Sequence, residues 1–158
     1  MILVHLRDVR LCPAHHSAVV RLDDASGTMT ITFAADSHET VRLGRVVQHG
    51  PQACHPIFDF VRALLSSLEA GVTRVVLEDV QGEGISGVVY VGTGGTELPV
   101  PCYPPDAIAL ALRAGIPIYA TPDALGHAEP SPTPPPGVVS EWLERVRPAD
   151  FRQPSDEA

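Results

Sequence analysis

The sequence contains no lysine, because all eleven of its basic residues are arginine. A catalytic Schiff base and the lysine of a phosphate-binding P-loop are therefore excluded. No apolar run approaches the roughly 20 residues that cross a bilayer. The first residues, MILVHLRDVRL, alternate like a strand, whereas a secretory signal has a basic start and a long apolar centre. These absences favour a cytoplasmic protein without membrane association.

Cysteine is also scarce, and basic charge is sparse. The three cysteines, Cys12, Cys54 and Cys102, are widely separated and lack the paired spacing of zinc sites or disulfide scaffolds, so we expect small buried side chains. The formal net charge is −8. Because nucleic-acid binders use a basic surface to neutralise phosphates, this charge disfavours strong non-specific binding to DNA or RNA.

The length, hydrophobic content and residue periodicity of the sequence indicate one globular domain. The 158 residues are 44% hydrophobic, which is enough for a sizeable core plus a short appendage. Alternating β-rich runs predict strands at residues 2–11, 18–23, 28–33, 74–79, 85–91, 97–102 and 116–120. Helical spacing and capping residues predict helices from Asp36 or Ser37 to Gly50, from Pro56 to Gly71, and after Asp106. The predicted fold class is α+β, with two to three helices packed on an antiparallel or mixed sheet.

The composition changes abruptly near the C-terminus. Residues 127–137 contain five prolines among serine and threonine, a composition that favours extended polyproline geometry over a packed core. Residues 138–146, VVSEWLERV, have the spacing of a short amphipathic helix that carries Trp142. We therefore predict a domain at 1–125, a Pro-rich linker at 126–137, and a C-terminal helix and tail at 138–158.

The most informative stretch is Val100–Tyr119, VPCYPPDAIALALRAGIPIY. Pro104 and Pro105 fix the backbone where a first helical turn begins, and Asp106 places a carboxylate beside the unpaired N–H groups of that turn. Arg113 stands in the last turn, and Gly115 can adopt the left-handed conformation that ends a helix.

The run Asp106–Tyr119 resembles the signature of the bifunctional nuclease domain family, which usually reads Arg-Pro-Ser-Asp-Ala-Ile-Ala-Leu-Ala-Leu-Arg there. The resemblance extends upstream without gaps, and residues 1–125 can be laid on the domain. Asp59 falls on the aspartate of the family's Thr-His-Asp-Leu segment. This chain departs from the family at Tyr103 and Pro105, which replace its arginine and serine, and at Ile57 and Phe58, which replace its threonine and histidine.

The resemblance implies a homodimeric, metal-assisted nuclease that acts on DNA and RNA. Asp59 and Asp106 are its candidate catalytic carboxylates; if they approach each other, they could hold magnesium or manganese or position a water molecule. His55 is the nearest candidate base at neutral pH. Arg113 is a candidate for substrate binding through its planar guanidinium group.

Each candidate also has a purely structural interpretation. Asp59, Asp106 and Arg113 stand where charged side chains stabilise helix ends without any chemistry. Tyr103 could bind a ligand or simply pack. A second functional hypothesis follows from the changed polar residues: a domain of this family that has lost nuclease activity and binds a small organic ligand or a partner protein, as a specialised enzyme of bacterial metabolism. It predicts an apolar pocket around Tyr103, Phe58 and Ile57 that can hold a ring.

Overall fold

Eight strands and four α-helices make up the part of the chain that the computed structural model describes, which is residues 1–12, 16–53, 55–81, 84–126 and 129–130. The strands are β1 Ile2–Cys12, β2 Ser17–Asp24, β3 Met29–Asp36, β4 Ala70–Val80, β5 Gly84–Thr93, β6 Thr96–Cys102, β7 Ile118–Ala120 and β8 Glu129–Pro130. The helices are α1 Ser37–His49, α2 Pro56–Ser67, α3 Pro104–Ala114 and α4 Pro122–Gly126, and a 3-10 turn spans Pro51–Ala53.

The described strands form one mixed sheet in the order β6-β5-β4-β7-β1-β2-β3-β8. β7 pairs parallel with β4 and antiparallel with β1, and the other pairs are antiparallel. The short β7 therefore joins two antiparallel meanders, β1-β2-β3 and β4-β5-β6. The predicted α+β class with a mixed sheet is confirmed.

The core lies between the sheet and the helices. In β2, Ala18, Val20 and Leu22 are fully buried, while the residues between them keep some exposure, as the two-residue period of a strand requires. Every residue from Ala107 to Ala111 of α3 is buried, so this helix is the central one of the helical layer. Its small alanines let the backbone approach strands β4 and β5 closely.

Gly87 marks the tightest approach between α3 and the sheet. A Cβ atom at this position would lie 2.9 Å from the Cys102 carbonyl oxygen and 3.1 Å from the Ala107 Cβ atom. Any other residue would push β5 away from β6 and from the start of α3. The glycine therefore fixes how closely α3 can lie on the sheet.

The predicted boundaries of α3 agree with the structure. The helix begins at Pro104, carries Asp106 in its first turn and Arg113 in its last, and is ended by Gly115 at φ 68°. Asp36 caps α1 as predicted, because its carboxylate accepts hydrogen bonds from the N–H groups of His38 and Glu39. The sequence signals at these helix ends were therefore sufficient.

The predicted end of α2 at Gly71 is wrong. The helix ends at Ser67, and Ala70 and Gly71 already belong to β4, where they pair with Thr93 and Gly92. Glu69 takes the left-handed conformation, at φ 54°, and reverses the chain between the two elements. Pairing with a long neighbouring strand overrides the helix preference of Leu68, Glu69 and Ala70.

Two short elements, α4 and β8, were not predicted. The predicted linker 126–137 and C-terminal helix 138–158 lie outside the described residues, apart from Gly126, Glu129 and Pro130. Within the described part, no helix is both long and apolar enough to cross a membrane.

Candidate functional site

Asp106, in the first turn of α3, is held by an arginine of α1. The Arg42 Nε and NH2 groups donate hydrogen bonds to the two carboxylate oxygens of Asp106, each at 2.8 Å. Hydrogen bonding to Asp106 raises the pKa of Arg42. Both oxygens of the candidate catalytic carboxylate thus have a charged partner, and the pair joins the two helices.

Asp59, in the first turn of α2, is held in the same way by Arg113 of α3. The Arg113 Nε and NH2 groups donate to its two oxygens at 2.8 and 3.1 Å, and NH1 donates to the Gln52 side-chain oxygen at 2.7 Å. The Arg113 guanidinium lowers the pKa of Asp59 below its ordinary value. The predicted substrate-binding cation is therefore already bound to the predicted carboxylate.

The two carboxylates are held at opposite ends of α3. Asp106 and Arg113 are seven residues apart, which corresponds to about 10 Å along a helix axis. A divalent cation shared by Asp59 and Asp106 would have to displace a bidentate arginine from each of them. Among the described residues, no group of three or more His, Cys, Asp or Glu side chains could hold a metal ion. The donor set as arranged does not fit magnesium or manganese.

His55 caps α2 with its ring. Its Nδ1 atom accepts a hydrogen bond from the Ile57 N–H at 3.2 Å. This bond places the proton of the neutral ring on Nε2, so the exposed ring offers a donor to a ligand rather than a lone pair. To act as a base through Nε2, the His55 ring would have to carry its proton on Nδ1, and it would then lose the hydrogen bond that caps α2.

The Tyr103 side chain connects the starts of α1 and α3 through a hydrogen bond. Its hydroxyl oxygen accepts a hydrogen bond from the Asp36 N–H at 3.0 Å, and Tyr103 is itself the residue before the first turn of α3. The side chain thus connects the start of α3 to the start of α1. It faces a small recess beside Phe33 and Ser86 and does not line the groove that holds Phe58.

An apolar groove opens between α2 and strands β5 and β6, with a volume of about 560 Å³. Apolar side chains form most of its wall: Ile57, Phe58, Val61, Leu65, Val72, Val89, Val91, Val100, Pro101 and Leu110. Its polar lining consists of Arg42, Asp106, His55 and Cys102. Burial raises the pKa of the Cys102 thiol, which therefore stays protonated at neutral pH. Three predicted site residues, Asp106, His55 and Phe58, meet in this groove.

The remaining predicted site residues lie elsewhere. Asp59 borders a separate, smaller recess of about 450 Å³ with Arg62 and Ala114. A wider recess of about 820 Å³ lies between β3, β5 and α4, but it contains none of the predicted site residues. We take the α2 groove as the candidate site because it alone, among these recesses, combines an apolar wall with three of the predicted residues.

Arg42 is the functional residue that sequence analysis missed. It is separated from Asp106 by 64 positions and comes from a helix with no recognisable motif. No local signal marks it, because the ion pair exists only once α1 and α3 pack together. The same holds for Gln52, whose bond to Arg113 spans 61 positions.

Comparison with known families agrees with this architecture. A family model described as the bifunctional nuclease domain matches residues 20–132, which include α1, α2, α3 and both ion pairs. No curated protein matches the chain. Since the family model covers well over half of the sequence, the chain belongs to the bifunctional nuclease domain family.

Proposed function

We propose that this member of the family binds a small organic ligand in the α2 groove. The observation that carries the proposal is the groove itself: an apolar wall contributed by α2, β5, β6 and α3, with a few polar groups. Its volume of about 560 Å³ falls in the range typical of small-molecule sites. A ring or a branched aliphatic group fits such a wall, whereas a phosphodiester backbone does not.

The polar side chains of the groove indicate the chemistry of the ligand's polar end. Arg42 and Asp106 form a closed pair whose charges cancel, and His55 adds an N–H donor at Nε2. An uncharged polar head, such as a hydroxyl, carbonyl or amide group, would find both donors and acceptors there. A strongly anionic head would have to compete with Asp106 for the Arg42 guanidinium group.

The experiment uses a fluorescent aromatic probe, anilinonaphthalene, and two variants of β6. Val100 and Leu98 are exposed to a similar degree, 46% and 50%, but only Val100 lines the groove. Val100→Glu places a charge in the apolar wall and should weaken probe binding at least about tenfold, because burying an unpaired carboxylate is costly. Leu98→Glu is the matched control. Equal binding by both variants and the wild type would remove the groove as the site.

Phosphodiester hydrolysis is the second candidate, and the observation that favours it is the match to the family model. In this hypothesis Asp106, Asp59 and His55 act on nucleic acid, with Arg113 binding the substrate. Its test is incubation with plasmid DNA and with RNA, with and without magnesium or manganese. Asp106→Asn and Asp59→Asn should each abolish cleavage, and cleavage that survives both substitutions would rule out this assignment.

We propose the bacterial cytoplasm as the setting. The free thiols of Cys12 and Cys102 support this. Fractionation of producing cells tests it, and recovery of the protein from an extracytoplasmic fraction would contradict it.

A further inference from the structure

The ring of His55 caps α2 through a nitrogen lone pair that a proton can occupy. Its Nδ1 atom accepts a hydrogen bond from the Ile57 N–H at 3.2 Å, and the ring is exposed to solvent. Pro56 has no N–H group, and the Phe58 N–H donates to the His55 carbonyl oxygen at 3.1 Å. The Ile57 N–H is thus the donor of this first turn that depends on the ring.

We infer that His55 makes ligand binding in the α2 groove sensitive to pH, an inference that rests on the proposed function. Histidine is the side chain that ordinarily changes its charge between about pH 5 and 8. When the ring takes a second proton, both nitrogens become donors, so neither ring orientation can accept from the Ile57 N–H. Protonation also places a positive charge at the N-terminus of α2, where the helix dipole is already positive. Acid therefore releases the first turn of α2.

The charged side chains around His55 do not offset this loss. On α2 itself, Asp59 is bound by both Nε and NH2 of Arg113. From α1 and α3, Arg42 and Asp106 reach the groove as a pair in which both carboxylate oxygens are occupied. Among the described residues of the groove and of the first turn of α2, a protonated ring therefore finds no carboxylate without an arginine.

The other titratable groups near the groove do not change sign over this range. Arg62 lies two turns beyond His55 on α2 and adds a further positive charge near Asp59. On β6, burial raises the pKa of the Cys102 thiol, which stays uncharged. The charge change that reaches the groove between about pH 5 and 8 is therefore that of His55.

The first turn of α2 is also part of the groove wall. Ile57 and Phe58 line the groove beside His55. Of the twelve residues of α2, only Phe58 is buried, so few contacts hold this turn once the cap is lost. A ligand that packs against Ile57 and Phe58 needs the turn in place and therefore favours the neutral ring. Because the two equilibria are coupled, binding is strongest at the higher pH and weakens as the ring takes up its proton.

The first measurement follows the cap in the absence of ligand. Amide hydrogen exchange of the full chain is measured by NMR and corrected for the intrinsic rate at each pH. From about pH 8 to about pH 5.5, protection of the Ile57 N–H should fall at least about threefold, as expected for loss of a helix cap. The control is the Glu39 N–H of α1, which donates to the Asp36 carboxylate. A carboxyl oxygen still accepts hydrogen bonds at the lower pH, so this protection should not change. Unchanged protection of Ile57 would overturn the inference.

The second measurement follows the groove with the anilinonaphthalene probe. For the wild type, the dissociation constant should rise at least about threefold over the same pH range. His55→Asn supplies an amide oxygen that caps a helix but does not titrate, so its dissociation constant should change less than about twofold, whatever its value at the higher pH. The control is His49→Asn, which removes an exposed histidine in the last turn of α1 and should keep the wild-type pH dependence. Circular dichroism checks folding, and His55→Ser replaces His55→Asn if the latter is unfolded.

Failure of this inference is distinguishable from failure of the proposed function. If Val100→Glu and Leu98→Glu both bind the probe as the wild type does, the groove is not the site and the proposed function fails. If only Val100→Glu loses the probe, the groove stands. The inference then fails if the wild type binds equally well at both pH values, or if His55→Asn keeps the wild-type pH dependence.

Discussion

Asp59, Asp106 and Arg113 are the acidic and basic residues that the family resemblance selects, and in the structure each bonds to a side chain on another element. Asp106 binds Arg42, Asp59 binds Arg113, and Arg113 also binds Gln52. A charged residue at a helix end can thus be retained for holding helices together, without contact to any substrate. Motif position alone does not separate these two roles.

Gly87 provides a test at the scale of a single residue. Gly87→Ala should lower the free energy of unfolding by about 1 to 3 kcal/mol, because its Cβ atom would meet backbone and side-chain atoms of β6 and α3 at 2.9 and 3.1 Å. Urea unfolding measures the change. Gly44→Ala, in α1, is the control: nothing lies within 4 Å of its Cβ position, so we expect a gain of about 0.5 to 1 kcal/mol. A Gly87→Ala variant as stable as the wild type would contradict the close packing.

Among the elements, α3 could be predicted in full and α2 only in part. Proline, acidic, basic and glycine residues mark both ends of α3, and all of these signals are local. The end of α2 depends on the pairing of Ala70 and Gly71 with β5, which the local sequence does not reveal. The apolar positions of α2 correctly indicated an amphipathic helix, but the period alone could not show that most of its apolar side chains would remain exposed.

The residues of the candidate site also differ in whether the sequence alone could indicate them. His55, Phe58 and Asp106 could be selected from the sequence because the family motif marks Asp106, and because Phe58 and His55 precede Asp59 in a recognisable segment. Arg42, Val89 and Val100 could not, since they come from three other elements and reach the groove only through tertiary packing. The ion pairing of Asp59 and Asp106 was hidden for the same reason.

The contact between α1 and α3 leads to a prediction at the element scale. A double-mutant cycle of Arg42→Gln and Asp106→Asn should give a coupling energy of about 1 kcal/mol, because the pair is bidentate but partly screened by water. The two side chains remain 35% and 24% exposed, respectively. Thermal unfolding of the four proteins measures the coupling. Additive losses would mean that the pair does not join the helices energetically.

The net charge of the whole molecule determines how strongly we expect it to bind nucleic acid. With a net charge of −8, we expect the dissociation constant for duplex DNA to be weaker than about 100 µM at physiological salt. Fluorescence anisotropy with a labelled duplex measures it, and the same titration at low salt is the control, because electrostatic attraction is strongest there. Micromolar binding with a steep salt dependence would show that a local basic surface outweighs the net charge.

The central position of β7 has a consequence for how the protein is made. The strands on either side of it, β1 and β4, begin at residues 2 and 70, but the strand that bridges them begins only at residue 118. During synthesis the two meanders can each form as soon as they leave the ribosome, yet the sheet stays in two halves until Ile118–Ala120 emerges. The nascent polypeptide therefore joins its two meanders only after residue 120 has left the ribosome.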